Sequence, residues 1–426
     1  MTQLPSLSID SLTINADRLI QRLNELATIG QLDTGGVCRL AFSEADIQAR
    51  LWIQQRMVDG GMTVRVDAAG NLIGRYAGTQ DDLPALATGS HIDTVPVAGK
   101  FDGCLGVLAG IEGVQTLSEN HLRLRHPIEV IVFTDEERSV IGSKAMAGEL
   151  LDDPALYARL DGTSIETCLK NVGGNWTEIS TAKRFQLTET GEKCSDLAAF
   201  VELHVEQGGV LEAAGAEIGV VTGVVGQYRF AVTIVGQANH AGTTSMNARQ
   251  DALLAAAQLV VAVNQIATAS PGDQVATVGY LMVSPNATNT IAGQVDLRID
   301  LRDLFQAHLE GLVAQIRSAC EKIAQSTGTE ITLQPTLHIQ PTLAAPQIMA
   351  VIENVANQLQ LPTLELPSRA GHDAQEIGRI TDMGMIFVPS RSGISHSVDE
   401  YTSNQQCVQG AMVLLKTLIQ LDNCYD

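Results

Sequence analysis

The sequence predicts an α/β protein of two domains, one of which is interrupted by the other. Apolar strand segments alternate with helical patterns over residues 45–133, which is typical of a layered α/β domain. A second region, 224–339, shows the order β-α-β-β-α-β of a ferredoxin-like unit. A helical pattern resumes after it, near Pro346. We therefore expect a discontinuous domain, 1–223 with 340–426, and an inserted domain.

The first domain opens with two helices. Asn15 is placed to cap a helix that runs through Leu26, and Ser43 with Asp46 resembles a capping box before a helix from Ala45 to Val58. Strands and helices follow in alternation. These are the strands 63–66, 71–76 and 84–89, the helix 107–117, the strand 128–133, a less periodic stretch of helices and loops at 142–193, and the strand 198–203.

The inserted domain contains four strand patterns and two helical ones. The strands are expected at 228–235, 275–283, 294–301 and 330–338, and the helices at 249–266 and 304–325. A helix at 346–360 then returns the chain to the first domain.

Composition excludes several classes of protein. A net charge of −21 over 426 residues makes nucleic acid and anionic membranes improbable partners. The seven cysteines are odd in number and lack C-x-x-C spacing, so we expect neither a disulfide framework nor a thiolate zinc site. The amino terminus lacks the basic and apolar regions of an export signal, and no run approaches 18 uninterrupted apolar residues, about the length of a membrane-spanning helix. A reducing, cytoplasmic compartment is expected.

The segment 84–89 reads as a buried strand that ends at Gly89, which would deliver His91 and Asp93 to the carboxyl edge of a sheet. A neutral imidazole suits Zn²⁺, and Asp93 could accept the other ring N–H of His91. Asp102 follows on a glycine-rich turn, where a carboxylate can bridge two cations. An isolated His-x-Asp pair is more often a structural histidine beside turn-forming aspartates, so other motifs must decide.

Carboxylates and histidines also follow other strand patterns. Glu136 and Glu137 come directly after the strand 128–133, where one can face a metal and the other a water, although a solvated acidic turn would look the same. Alternation places Glu202, His204 and Glu206 on one face of a strand, with His204 as a ligand.

Five of the nine histidines lie in short Gly, Ser or Ala-rich contexts: His91, His204, His240, His372 and His396. His396 lies in a Gly/Ser turn, with Glu400 four residues later. Three histidines, one aspartate and one glutamate can give each of two cations two ligands and a shared carboxylate. We expect two divalent ions per chain, Zn²⁺ first, with Mn²⁺ or Co²⁺ as alternatives.

Taken together, these motifs resemble the metal-dependent amidohydrolases of the M20 peptidase clan, and within it the hydantoinase/carbamoylase family. The matching segments are GSHIDTV (89–95), GKFDG (99–103), TDEE (134–137), ELHVEQG (202–208), GQANHAGTT (236–244), NTIAG (289–293), DLR (300–302), AGHDAQ (370–375) and SHS (395–397). Each motif is weak alone, whereas the set in this order is specific.

The resemblance implies roles for the residues of the first domain. One cation would be held by His91 and His204, the other by Glu137 and His396, with Asp102 bridging and Asp93 supporting His91. Glu136 would be the general base that takes a proton from the attacking water and passes it to the leaving nitrogen.

The resemblance also implies how substrate is held. His240, in an inserted lid and dimerisation domain, would stabilise the oxyanion, often across a homodimer interface. Gln207, Asn289 and Arg302 would hold the ureido group and carboxylate, near a loop with Gly371 and His372. Two alternatives stay open: Arg302 could form an ordinary ion pair with Asp300 or Asp303, and His372 could be structural.

The implied activity is hydrolysis of a ureido C–N bond, in an N-carbamoyl-L-amino acid or, alternatively, by an allantoate amidohydrolase or β-ureidopropionase. An M20 peptidase or aminoacylase, or a binding homologue without catalysis, is the alternative of another type. The sequence departs from the family at Arg138 (usually glycine), Ala292 (often proline) and Arg369 (often a small residue). The two arginines could bind a second substrate carboxylate, or pair with Asp135 and Glu365.

Overall fold

The computed structural model describes residues 12–188 and 190–425, so the extreme amino terminus, where we expect no export signal, lies outside the described residues. The chain forms two compact units: Met1–Gly223 with Leu343–Asp426, and Val224–Thr342. All seven cysteines are free.

The first part of the chain alternates helices and strands. Its elements are α1 (Ala16–Ala27), α2 (Glu44–Asp59), β1 (Thr63–Val66), β2 (Leu72–Tyr76), β3 (Ala85–His91), α3 (Cys104–Glu119), β4 (Ile128–Phe133), α4 (Ile141–Ala147), α5 (Ile165–Asn171), β5 (Phe185–Leu187), β6 (Lys193–Ser195), β7 (Leu197–Val205), α6 (Val210–Ala214) and β8 (Ile218–Val224). The pairing of β5 with β6 as a hairpin was not expected from the sequence.

The helix starts follow their capping residues. Asn15 accepts the N–H of Arg18, and Ser43 accepts the N–H of Asp46. The capping box is only half formed, because the Asp46 carboxylate accepts the N–H of Phe42, at 2.7 Å, and not that of Ser43. This contact holds the chain just before α2.

The second unit contains β9 (Gly226–Val235), β10 (Asn239–His240), α7 (Ala252–Ala269), β11 (Val275–Ser284), β12 (Thr290–Ile291), β13 (Gln294–Asp303), α8 (Gln306–Thr327) and β14 (Glu330–Ile339). The short strand β15 (Thr342–Leu343) follows at the boundary between the two units. Four strands form an antiparallel sheet in the order β11-β13-β9-β14. Helix α7 is long and apolar enough to cross a membrane, a criterion that core helices of globular proteins also meet. Its alanine-rich face packs in the core of this unit, with Leu259 and Val263 fully buried.

The last part of the chain contains α9 (Pro346–Gln358), β16 (Thr363–Ser368), α10 (Asp373–Ile377), β17 (Asp382–Val388) and α11 (Asn404–Leu421). Helices α3 and α11 pack against each other and contribute many residues to the main apolar core.

The large sheet has nine strands in the order β1-β2-β4-β3-β7-β17-β8-β15, with β16 paired to β8. The four neighbours β4, β3, β7 and β17 run parallel, whereas β1, β2 and β8 pair antiparallel with their neighbours. The sheet is therefore mixed, which confirms the α/β class. Parallel strands end at one edge, so the residues that follow these four strands meet there.

Candidate metal centre

The first group of possible metal ligands lies where β3 and β7 end. His91 is the last residue of β3, and His204 is next to last in β7. Oδ1 of Asp102 is 3.1 Å from Nε2 of His204 and 3.7 Å from Nε2 of His91. All three side chains are buried. Two imidazole nitrogens and one carboxylate oxygen thus converge on one point.

The second group uses the other oxygen of Asp102. Its Oδ2 is 3.3 Å from Nε2 of His396, and Oε2 of Glu137 is 3.6 Å from the same nitrogen. His396 is half-buried and has a positive φ of 52°. Because the two carboxylate oxygens face different groups of ligands, Asp102 has the geometry of a bridge.

Backbone carbonyls orient the two buried histidines. Nδ1 of His91 is 3.0 Å from the carbonyl oxygen of Asp93, and Nδ1 of His204 is 2.9 Å from that of Val205. A carbonyl can only accept, so each Nδ1 carries a proton, and in the neutral ring each Nε2 then keeps its lone pair toward Asp102. We expected the Asp93 carboxylate to perform this role for His91, but its Oδ1 is 3.9 Å away and its Oδ2 accepts the N–H of Glu137 at 3.3 Å.

The residues present fit divalent cations. Oε1 of Glu137 is buried and lacks a hydrogen-bond partner among the described residues. Burial would raise the pKa of Asp102, but the neighbouring imidazoles of His204, His396 and His91 hold it well below its usual range. Burial raises the pKa of Glu137. Several buried carboxylates and imidazoles with free acceptor atoms are the oxygen and nitrogen ligands of Zn²⁺, Mn²⁺ or Co²⁺.

Glu136 lies beside the first group of ligands. Its Oε2 is 3.5 Å from Nε2 of His91, and the side chain is nearly buried. Burial raises the pKa of Glu136 well above its usual value. A carboxyl with a raised pKa beside a metal site is suited to accept and return a proton.

Gln207 joins the centre, and Glu206 does not. Nε2 of Gln207 donates to Oδ2 of Asp102 at 2.9 Å, and its backbone N–H donates to Ser390 at 3.0 Å. The carboxylate of Glu206 instead accepts the backbone N–H groups of Val210 and Leu211 at the start of α6. The shared strand face expected for Glu202, His204 and Glu206 therefore ends at His204.

His372 is packed edge-on against His204, with ring centroids 4.6 Å apart. Its Nε2 lies 2.8 Å from the Ser368 hydroxyl, and burial, followed by the neighbouring His204, lowers its pKa well below the usual value. These contacts favour the structural alternative for His372. Gly371, immediately before it, is exposed.

In the second unit, the structure brings His240 and Asn289 together. Strands β10 and β12 pair at His240 and Thr290, and Ala241 donates its N–H to the carbonyl of Asn289 at 3.0 Å. Nδ1 of His240 accepts the N–H groups of Gly242 and Thr243. In the neutral ring the proton is therefore on Nε2, which makes the exposed His240 a hydrogen-bond donor.

Arg302 lies on β13, in the four-stranded sheet. Its Nε donates to Oδ1 of Asp300 at 2.9 Å, so the ion pair that the sequence left open is present. Asp300 also accepts from Gln227 and Arg229.

Glu400 is a contributor that the motifs did not identify. Its Oε1 accepts the backbone N–H groups of Phe101 and Asp102, at 3.0 and 3.2 Å, and its Oε2 is 3.4 Å from the Ser395 hydroxyl. Burial raises the pKa of Glu400 to about 7. Glu400 thus connects the turn that carries Asp102 to the loop that carries His396. Its position four residues after His396 was the only signal in the sequence.

Glu202 and Arg39 form hydrogen bonds with residues that neighbour the proposed ligands. The Glu202 carboxylate accepts the Ser90 hydroxyl at 2.7 Å and the N–H of Ala374 at 2.9 Å. The buried guanidinium of Arg39 donates to the carbonyl of Ile92 at 2.7 Å. Glu202 was visible as a member of a strand face, but no pattern pointed to Arg39.

Comparison with known proteins identifies the family of this chain. Residues 87–420 match the sequence profile of Peptidase family M20/M25/M40. The chain belongs to this family. It is 40% identical over 413 residues to an N-carbamoyl-L-amino acid amidohydrolase of Geobacillus stearothermophilus, an alignment that covers 96% of this chain and 99% of the relative.

Two further relatives place the chain in the same branch of the family. It is 35% identical over 402 residues to an allantoate amidohydrolase of Bacillus subtilis, covering 93% of this chain and 95% of the relative. The crystal structure of a hydantoinase/carbamoylase family amidase from Burkholderia multivorans aligns with a TM-score of 0.87 and 35% identity, over 96% of this chain and 98% of that one. The resemblance seen in the motifs is confirmed.

Proposed function

We propose that this chain is a metal-dependent amidohydrolase that cleaves a non-peptide C–N bond of a ureido compound. The best candidate substrate is an N-carbamoyl-L-amino acid, which hydrolysis converts to the amino acid, ammonia and carbon dioxide. The observation that carries the proposal is the division of the two Asp102 oxygens between two groups of ligands. The full-length relatives named for ureido substrates support it.

Two divalent cations fit the donor set. His91 and His204 would hold one, Glu137 and His396 the other, and Asp102 would bridge them. Zn²⁺ is the expected ion, with Mn²⁺ or Co²⁺ as alternatives. When bound, such ions lower the pKa of a water and polarise the scissile carbonyl.

Glu136 is assigned as the general base. It takes one proton from the water as the water oxygen attacks the ureido carbonyl carbon, and it delivers that proton to the nitrogen that leaves. The C–N bond breaks as ammonia departs, and the remaining carbamate loses carbon dioxide. One water is consumed, which balances the amino acid, ammonia and carbon dioxide formed.

The second unit, residues 224–339 in our sequence-based assignment, is proposed as a ferredoxin-like lid and dimerisation domain. His240, with its proton on Nε2, would donate to the oxyanion as negative charge develops. Asn289 would hold the ureido group. Arg302 would exchange part of its pairing with Asp300 for the substrate carboxylate, as a bidentate partner.

In the first unit, Gln207, whose Nε2 donates to Asp102, would also hold the ureido group. The loop with Gly371 and His372 would lie near the substrate. We propose a cytoplasmic homodimer that acts on a small molecule.

A second candidate is allantoate hydrolysis, which the Bacillus subtilis relative favours. A metal-reconstituted sample should therefore be tested for ammonia release from N-carbamoyl-L-amino acids, N-carbamoyl-β-alanine and allantoate, and for cleavage of dipeptides. Ammonia from a ureido compound is expected. Cleavage of dipeptides alone would refute the proposal in favour of a peptidase.

The base assignment has its own test. Glu136→Gln should keep its metal content and lose about 10²- to 10⁴-fold in kcat, because general base catalysis is typically worth that much. Glu353→Gln, at an exposed position on α9, is the matched control. A Glu136→Gln protein with wild-type turnover would remove Glu136 from this role.

A further inference from the structure

His240 begins a short loop, residues 240–244, within the second unit. His240, Gly242 and Thr243 are exposed. The loop curls back on its first residue, because the His240 carbonyl accepts the hydroxyl of Thr244 at 2.8 Å and its N–H at 3.2 Å. Exposed loops of this kind are the mobile parts of a fold, since a single conformation costs entropy. A fixed orientation of His240 therefore needs support from outside the loop.

Arg249 provides such support. Its Nη2 donates to the carbonyls of Ala241 and Thr244, at 2.7 and 3.0 Å, and its Nε donates to that of Thr244 at 3.2 Å. Hydrogen bonds from a charged donor are stronger than those between neutral groups, and the fixed fork of a guanidinium suits two acceptors at once. Arg249 thus connects the start of the loop to its end.

The peptide group between Ala241 and Gly242 links Arg249 to the imidazole of His240. Its carbonyl oxygen accepts from Arg249, and its N–H donates to Nδ1 of His240 at 3.0 Å. The N–H of Thr243 donates to the same nitrogen at 3.2 Å. In a trans peptide the C=O and N–H lie on opposite sides of one rigid plane, so a single planar group joins the guanidinium to the ring. Each hydrogen bond in such a chain polarises and strengthens the next.

The sequence patterns did not identify Arg249 as part of a site. They predict a helix over 249–266, which would place Arg249 on the surface of that helix, whereas α7 begins at Ala252. The backbone of Arg249 is extended instead, with φ of −88° and ψ of 140°. The residue thus precedes the helix, where its side chain contacts the loop.

We propose that Arg249 is a positioning residue, which keeps His240 in one orientation with its proton on Nε2. The inference rests on the proposed function, in which that N–H donates to the oxyanion. Such a donor is effective only if it is in place before charge develops on the substrate oxygen. Because this charge appears in the transition state, loss of Arg249 should lower kcat and leave KM nearly unchanged.

The first test measures ammonia release by the metal-reconstituted enzyme from its best ureido substrate. His240→Ala should lower kcat about 10²- to 10³-fold, the usual cost of losing one oxyanion donor. Arg249→Met should lower it about 10- to 100-fold, because His240 is misplaced but still present. Arg249 also lines a cleft of about 380 Å³, so water can replace it at the two carbonyls, without fixing their positions.

The double variant His240→Ala/Arg249→Met separates positioning from general support of the fold. If Arg249 acts through His240, the double variant should have the kcat of His240→Ala alone, whereas independent effects would multiply. Arg249→Lys should lie between wild type and Arg249→Met, because an ammonium lacks the fork that spans two carbonyls. Arg317→Met, at an exposed position on α8, is the matched control and should keep the wild-type kcat.

The second test reads the His240 ring directly and needs no substrate. In zinc-reconstituted protein with ¹⁵N-labelled histidine, the His240 signals are those that His240→Ala removes. In wild type, the neutral ring should show one tautomer, with its proton on Nε2. In Arg249→Met and Arg249→Lys, the ¹⁵N shifts should move toward those of an imidazole that exchanges between tautomers.

The outcomes keep the inference apart from the proposed function. Multiplied losses in the double variant, or ¹⁵N shifts of His240 that stay at wild-type values in folded Arg249→Met and Arg249→Lys, would overturn the inference. Absence of ammonia from every ureido compound with the wild-type enzyme would instead overturn the proposed function, and the ¹⁵N shifts would still decide whether Arg249 holds His240.

Discussion

Glu400 allows a direct test of how Asp102, the proposed bridging carboxylate, is held. Its Oε1 accepts two buried backbone N–H groups, those of Phe101 and Asp102. Glu400→Ala leaves both donors without this acceptor, and an unsatisfied buried donor costs about 1–3 kcal/mol. With two such donors, the substitution should therefore destabilise the turn by about 2–6 kcal/mol. Because Glu400 also lines a cleft of about 280 Å³, water can enter and bring the loss toward the lower value.

The loss should appear in metal binding before it appears in global stability. A residue that supports a ligand typically contributes about 10- to 100-fold to metal affinity, and Glu400 supports both Asp102 and, through Ser395, the loop of His396. Isothermal titration of the metal-free protein with Mn²⁺ or Zn²⁺ should show this weakening, with metal content measured by mass spectrometry as a second readout.

Glu400→Gln is the conservative variant, because its amide oxygen can still accept both N–H groups. It should recover most of the affinity, whereas Glu353→Ala, an exposed change on α9, should have no effect. If folded Glu400→Ala protein, verified by circular dichroism, binds metal as tightly as wild type, the contact does not position Asp102.

Three more predictions follow from other residues. Asp102→Asn removes the bridging charge but keeps the side-chain shape, so metal analysis should find at most one ion per chain, and two tightly bound ions would argue against a bridge. Burial raises the pKa of Asp46 from 3.8 to about 6, so the folded protein holds a proton that the unfolded chain releases and stability should fall as pH rises from about 4 to 6. In urea unfolding, the free energy of unfolding of Asp46→Asn should fall by up to about 3 kcal/mol less than that of the wild type over this pH range. An unchanged pH dependence would contradict this role of Asp46. If His240 acts across a dimer, an equal mixture of His240→Ala and Glu136→Gln chains should recover about a quarter of wild-type activity, whereas verified hybrids without activity would place His240 in its own subunit's site.

The sequence was sufficient where a pattern repeats over several residues. The apolar run 128–133 predicts β4 with the bounds that the structure has, and its end carries Glu136 and Glu137. The order of the parallel strands beside β4 could not be predicted in the same way, although β3 and β7 deliver His91 and His204 to the same sheet edge. Local periodicity records whether a strand is buried, but not which strand lies beside it.

Contacts set by single atoms were also beyond prediction from the sequence. The support of His91 by the carbonyl of Asp93, in place of its carboxylate, depends on the path of a two-residue turn. The hairpin β5–β6 is short and largely exposed, so it lacks the alternation that identifies a half-buried strand. Glu400 acts on a turn about 300 positions earlier in the chain, a distance over which no spacing rule applies.

The arrangement of the parallel strands has a consequence for the order of folding. The proposed ligands His91 and His204 precede residues 224–342 in the chain, whereas β17 and His396 follow them. During synthesis the proposed second metal site therefore cannot close until nearly the whole chain is available. Closing it requires contacts between residues far apart in sequence, which slows folding. A second metal ion, as proposed, should thus bind late, only after the first unit has folded completely.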